Sequence, residues 1–108
     1  MRRYVSLKRQ ADFARLRRHG RRVSSKSLVI YRSEPSPRDV TSLVGITVNK
    51  SVGKAVVRNR LRRRLAAIVE QALVRQQRMR LLVIARPTAA QLPFCDLQVE
   101  LRSSLERR

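Results

Sequence analysis

The chain has 108 residues and a mass of 12.5 kDa, so it is expected to form a single domain spanning residues 1–108. Its apolar share of 43 % suffices for one packed core, which must be aliphatic because only 4 % of residues are aromatic and tryptophan is absent. Against 7 acidic residues stand 22 arginines and 4 lysines, a net charge of +19 that opposes folding unless a polyanion or counterions absorb it. A nucleic acid is the leading expectation for the partner, and arginine is the cation that matches phosphate and stacks on bases.

The same composition excludes other classes. The single cysteine, Cys95, allows no internal disulfide and no cysteine-based zinc cluster, so a reducing compartment, the cytoplasm, is expected. No apolar run is longer than Leu81-Leu82-Val83-Ile84-Ala85, so neither a membrane span nor a signal peptide is predicted. The basic start Met1-Arg2-Arg3 leads into nothing hydrophobic.

Residues 9–19 read as a short helix, with Phe13 and Leu16 three apart, Asp12 near the start, and Arg17, Arg18 and His19 before Gly20. These charges suit the helix dipole, and the glycine suits a left-handed cap. From Val23 to Arg32 the alternation predicts one strand, with Leu28 and Ile30 on one face and Val29 and Tyr31 on the other. Residues 33–41, with Pro35, Pro37 and Asp39, form a loop. Val44, Ile46 and Val48 alternate with Leu43, Gly45 and Thr47 in a second strand, where Gly45 marks a face that something approaches closely.

Residues 54–75 carry the strongest helical pattern: Val57, Leu61, Leu65, Ile68 and Ala72 fall within an arc of about 80° at 100° per residue. Asn59, Arg60, Arg62, Arg63 and Arg64 occupy the opposite side, and Arg58 borders the apolar stripe. A third strand follows at 80–86, a turn at 87–93, and a last helix whose Phe94, Leu97, Leu101 and Leu105 are expected in the core, with Cys95 as a small buried hydrophobe. Helices packed against a small sheet give an α+β or α/β sandwich.

Between Asp39 and Glu70 there is no acidic residue, while Lys50, Lys54, Arg58, Arg60, Arg62, Arg63 and Arg64 all lie there. The order strand, glycine turn at Gly53, helix directs backbone amides and the positive helix terminus outward beside the lysines, which suits phosphate oxygens. A Walker loop does not fit, since Gly53-Lys54 lacks the earlier glycine and the following Ser or Thr. His19 stands alone, and the seven carboxylates show no paired metal-ligand spacing, so protein-borne two-metal hydrolysis is not expected. Three readings remain for the residues alone: a structural RNA-binding protein such as a small ribosomal protein, a DNA-binding protein using the arginine helix, and a nuclease acting by itself.

The segment Val52-Gly53-Lys54-Ala55-Val56-Val57-Arg58-Asn59-Arg60, continued by Leu61-Arg62-Arg63, resembles the Arg-Asn-Arg signature of the protein subunit of bacterial ribonuclease P. Asp12-Phe13, His19-Gly20, Leu28-Val29-Ile30-Tyr31, Gly45-Ile46 and Ile84-Ala85-Arg86 occur in that family's order, from about residue 7 to residue 105. The resemblance implies a two-layer α+β sandwich of a mixed four-stranded sheet and three helices, with a left-handed βαβ crossover around the basic helix. It implies an RNA-dependent endonuclease in which the RNA subunit holds the catalytic magnesium ions and cuts precursor tRNA to leave the mature 5′ end, the protein alone binding no cofactor.

The partners implied are that catalytic RNA and precursor tRNA, with no membrane and no obligate protein partner. Lys50, Lys54, Arg58, Asn59, Arg60, Arg62 and Arg63 inherit the face toward the catalytic RNA. Phe13, Arg17 and Tyr31 inherit the cleft for the single-stranded 5′ leader, which must be gripped by charge and base faces. Two positions depart from the family's pattern: Arg17 replaces a frequent second aromatic, and Ser51 a frequent second lysine. By residue type alone Phe13 suits a core or a ligand platform, and either Ile30 or Tyr31 is the one turned toward RNA.

Overall fold

The computed structural model describes residues 4–106; the basic start Met1-Arg2-Arg3 lies outside the described residues. The elements are β1 (Tyr4–Ser6), α1 (Gln10–His19), β2 (Arg21–Ser24), β3 (Leu28–Ser33), β4 (Ser42–Val48), α2 (Ala55–Ala72), β5 (Arg80–Ala85) and α3 (Phe94–Glu106). Short 3-10 turns occupy Lys50–Val52, Leu73–Arg75 and Pro87–Gln91.

The strands form one mixed sheet in the order β1-β4-β5-β3-β2. β1 and β5 run parallel to β4, whereas β3 is antiparallel to both β5 and β2. Because β4 and β5 are parallel neighbours, the chain needs a crossover between them, and α2 provides it. The expected α+β class with three helices and a mixed sheet is present, with five strands rather than four.

Period-two alternation divides the apolar residues between two faces. Leu28, Ile30, Val44, Val48, Leu81, Val83 and Ala85 face Leu61, Leu65 and Ile68 of α2 and Leu97, Leu101 and Leu105 of α3 in the main core. On the other face Leu82 meets Leu16 of α1 and Leu7, with Phe13, Tyr31, Leu43 and Ile84 packed around them. The expected split of the β3 side chains therefore holds, with Ile30 in the main core and Tyr31 on the α1 face.

Four local expectations are corrected. The segment 23–32 is two strands: Ser25 N donates to Leu28 O at 2.8 Å, closing a turn between β2 and β3. Gly20 is extended rather than left-handed (φ −71°, ψ 158°), and a Cβ there would stand 2.4 Å from the Leu16 carbonyl oxygen. The second long helix ends at Ala72 and tightens into the 3-10 turn before Gln76. Phe94 is 37 % exposed and Cys95 is exposed, because residues 93–96 all stand clear of the core while Leu97 begins the buried stripe.

Candidate nucleic-acid interface

The basic helix is presented by a turn that only its sequence permits. Lys50–Val52 coil into a 3-10 turn whose Lys50 carbonyl accepts from Gly53 N at 3.2 Å, and Gly53 takes a positive φ of 153°. L-residues avoid that region, which explains glycine here. Lys54 then forms the N-cap of α2 with no side-chain capping bond, and the first turn holds no acid. The first-turn amides thus face outward beside exposed Lys50 and Lys54, a favourable setting for phosphate oxygens.

Along α2 the apolar stripe places the cations. Leu61, Leu65 and Ile68 are buried, so Asn59, Arg60, Arg62 and Arg63 project outward and are exposed. Arg58 borders the stripe as expected: it is half-buried, and its Nε is buried without a hydrogen-bond partner. Arg62 Nη1 donates to Asn59 Oδ1 at 3.0 Å, one helical turn back.

Gly45 determines where the first aromatic sits. An ideal Cβ at Gly45 would fall 2.7 Å from Phe13 Cε1 and 3.0 Å from Cζ, so the ring lies directly on the β4 backbone. The close approach expected at this glycine is therefore made by Phe13. Half-buried, the ring packs against the Leu82 cluster on one side and walls a groove of about 420 Å³ on the other. Core and surface roles are combined in one side chain.

The groove is lined by Leu7 and Phe13, by Val44 and Gly45 of β4, and on its basic side by Asn59, Arg62 and Arg63 of α2. The last three share one side of α2 because they are spaced at i, i+3 and i+4, and Ala66 at i+7 continues it. Arg60 is exposed but takes no part in this wall.

Neither of the other residues expected in the cleft lines the groove. Tyr31 is aligned with Leu82, and Leu82 with Gly45, so it lies two strands from Phe13's seat, about 10 Å at ordinary strand spacing. Arg17 is exposed on α1 one turn beyond Phe13. Tyr4, Ser6 and Leu7 do contribute to the groove and went unforeseen, because a three-residue strand is too short to show periodicity.

Among the described residues no three His, Cys, Asp or Glu side chains gather as a metal site. The main ion pairs lie behind α1: Arg80 contacts Asp39 at 2.9 Å and Asp12 at 3.1 Å. The hydrogen bond from Arg80 holds the Asp39 carboxyl below its usual range, and the same bond raises the guanidinium. No helix among the described residues is long and apolar enough to cross a membrane.

A +19 chain that combines a small mixed sheet, a helix with no acid before Glu70 and a groove lined by an aromatic and by cations defines a small basic α+β protein with a surface suited to a polyanion. The profile of the family "Ribonuclease P" matches residues 1–108. The chain is 41 % identical over 102 residues to the ribonuclease P protein component of Acidothermus cellulolyticus, covering 94 % of this chain and 85 % of that protein. With the component of Thermobifida fusca the identity is 37 % over 106 residues, 92 % of this chain and 72 % of the relative.

Among solved structures, the RNase P protein of Staphylococcus aureus superposes with a TM-score of 0.85 at 27 % identity, covering 94 % of this chain and 92 % of that one. The Thermotoga maritima protein, at 24 % identity, shares the fold with a TM-score of 0.81 over 95 % of this chain and 96 % of its own. The chain belongs to the ribonuclease P protein family and is a protein component of this tRNA-processing endoribonuclease complex.

Proposed function

We propose that the protein acts in the cytoplasm as the accessory subunit of an RNA enzyme, binding the catalytic RNA through α2 and the 5′ leader of precursor tRNA through the groove beside Phe13. One observation carries the reading: Phe13, seated on Gly45, lines the same groove as Asn59, Arg62 and Arg63. A groove with one aromatic wall and one cationic wall grips a single strand by base face and phosphate without reading its sequence. Asn59, Arg62 and Arg63, which the family resemblance places toward the catalytic RNA, thus border the leader as well, and with Lys50, Lys54, Arg58 and Arg60 they form the cation surface toward the RNA subunit, whose phosphates they would partly neutralise. Arg17 adds charge beside the leader, and Tyr31 adds an aromatic further along the same sheet face.

Magnesium chemistry belongs to the RNA in this reading, as the family resemblance implies. The test compares precursor tRNA with mature, leaderless tRNA, each bound to the protein assembled with a ribonuclease P RNA. Phe13→Ala should weaken precursor binding by about 1–3 kcal/mol, the worth of one base stack, and leave mature tRNA unchanged. Equal losses for both ligands would remove Phe13 from leader binding.

A further inference from the structure

α1 carries Phe13 to the groove, yet the helix is lightly held. Its N-cap, Arg9, makes no side-chain capping bond, and Leu16 is its only buried residue. Besides the Phe13 ring itself, its first turn is tied to the body by Asp12, the residue before Phe13, whose Oδ1 accepts from Arg80 Nη1 at 3.1 Å.

Arg80, the first residue of β5, is itself fixed from behind. Its Nε and Nη2 fork onto the two carboxylate oxygens of Asp39 at 2.9 and 3.2 Å, in the planar two-bond geometry that makes such pairs directional. Asp39 also accepts from Ser36 N at 2.9 Å, and its carbonyl accepts from Arg78 Nη1 at 2.7 Å. The Arg80 and Asp39 side chains are only 16 % and 8 % exposed, so the pair is shielded from solvent screening. A chain with only seven acidic residues places two of them on this one guanidinium. Neither Arg80 nor Asp39 lines the Phe13 groove, so neither touches a strand held there directly.

We propose that Arg80, acting through Asp12, is a positioning residue that holds α1 so that Phe13 stays on Gly45, and thereby sets how tightly the leader is held. The inference rests on the leader-binding reading given above. Asp12→Ala separates positioning from charge, because the substitution removes the acceptor for Arg80 and makes the protein more positive. A purely electrostatic role predicts tighter RNA binding; loss of positioning predicts weaker binding of precursor alone.

The experiment measures the affinity of the assembled protein and ribonuclease P RNA for precursor and for mature tRNA, using Asp12→Ala, Arg80→Met, Phe13→Ala and the double variant Asp12→Ala/Phe13→Ala. Asp12→Ala and Arg80→Met should each weaken precursor binding about 3- to 10-fold and leave mature tRNA unaffected, and Asp12→Ala should add nothing once Phe13 is gone. Should Arg80→Met fail to fold, as judged by circular dichroism, Asp12→Ala alone decides, since it leaves the Arg80–Asp39 fork in place.

Precursor binding by Asp12→Ala that is unchanged or tighter, a loss shared by mature tRNA, or full additivity with Phe13→Ala would overturn the inference. If Phe13→Ala remains selective while Asp12→Ala has no effect, the positioning role alone fails. If Phe13→Ala is not selective, the leader-site reading fails and takes this inference with it.

Discussion

Phe13 and Gly45 show how one residue fixes the meaning of another. A glycine inside an alternating strand announces that something approaches the backbone, and the sequence carries that much. The identity of the approaching group comes only from the fold, because α1 and β4 are separated by the β2–β3 hairpin and a loop. Gly45→Ala would bring a methyl to 2.7 Å from the ring, too close for both to remain where they are. The ring should be displaced, lowering unfolding stability by about 1–3 kcal/mol and reproducing the precursor-selective loss of Phe13→Ala. Urea unfolding and tRNA binding together check this; stability and binding both at the parent level would mean that the ring is not confined by β4. Phe94 and Cys95 illustrate the opposite case, since helical spacing alone extends the apolar stripe of α3 into a first turn that stands clear of the core.

Elements with long internal periodicity were legible, and elements held by distant partners were not. α2 is readable because Leu61, Leu65, Ile68 and Ala72 recur at helical steps, and the same wheel displays its cations. The β2–β3 turn, Ser25-Lys26-Ser27, contains neither glycine nor proline. It is held by Glu100 of α3, whose Oε2 accepts from Ser25 Oγ at 3.0 Å and from Ser27 N at 3.2 Å. No local pattern contains that information. Likewise Arg80, which joins α1 to the β3–β4 loop, reads in the sequence only as one more arginine.

That junction gives a pH dependence. The Asp39 carboxyl faces Arg80 and Arg78, with Asp12 on the far side of Arg80, and the bond from Arg80 depresses its pKa below 3.8. A depressed carboxylate contributes stability that is fully present above the unfolded pKa and is lost as pH falls through the folded value. Stability should therefore decline below about pH 4, and Asp39→Asn should be less stable than the parent at pH 6 while converging on it toward pH 2. Urea midpoints at several pH values decide; a constant difference across that range would remove Asp39 titration as the cause.

At the scale of the whole molecule, charge governs. With +19 on 108 residues and seven cations in an acid-free segment, association with RNA must release many counterions and weaken steeply with salt. Arg60 is exposed and takes no part in the groove, so Arg60→Ala should keep the fold while reducing the slope of log affinity against log salt by about one. An unchanged slope with the ribonuclease P RNA would place Arg60 away from its phosphates.

The most direct measurement is cleavage of precursor tRNA at low magnesium by the protein, purified free of nucleic acid, with and without a bacterial ribonuclease P RNA. Cleavage at the mature 5′ end only when both are present is the expected result for a subunit that assists a catalytic RNA. If the protein gives the RNA no help, or cuts the tRNA by itself, the accessory-subunit assignment is contradicted.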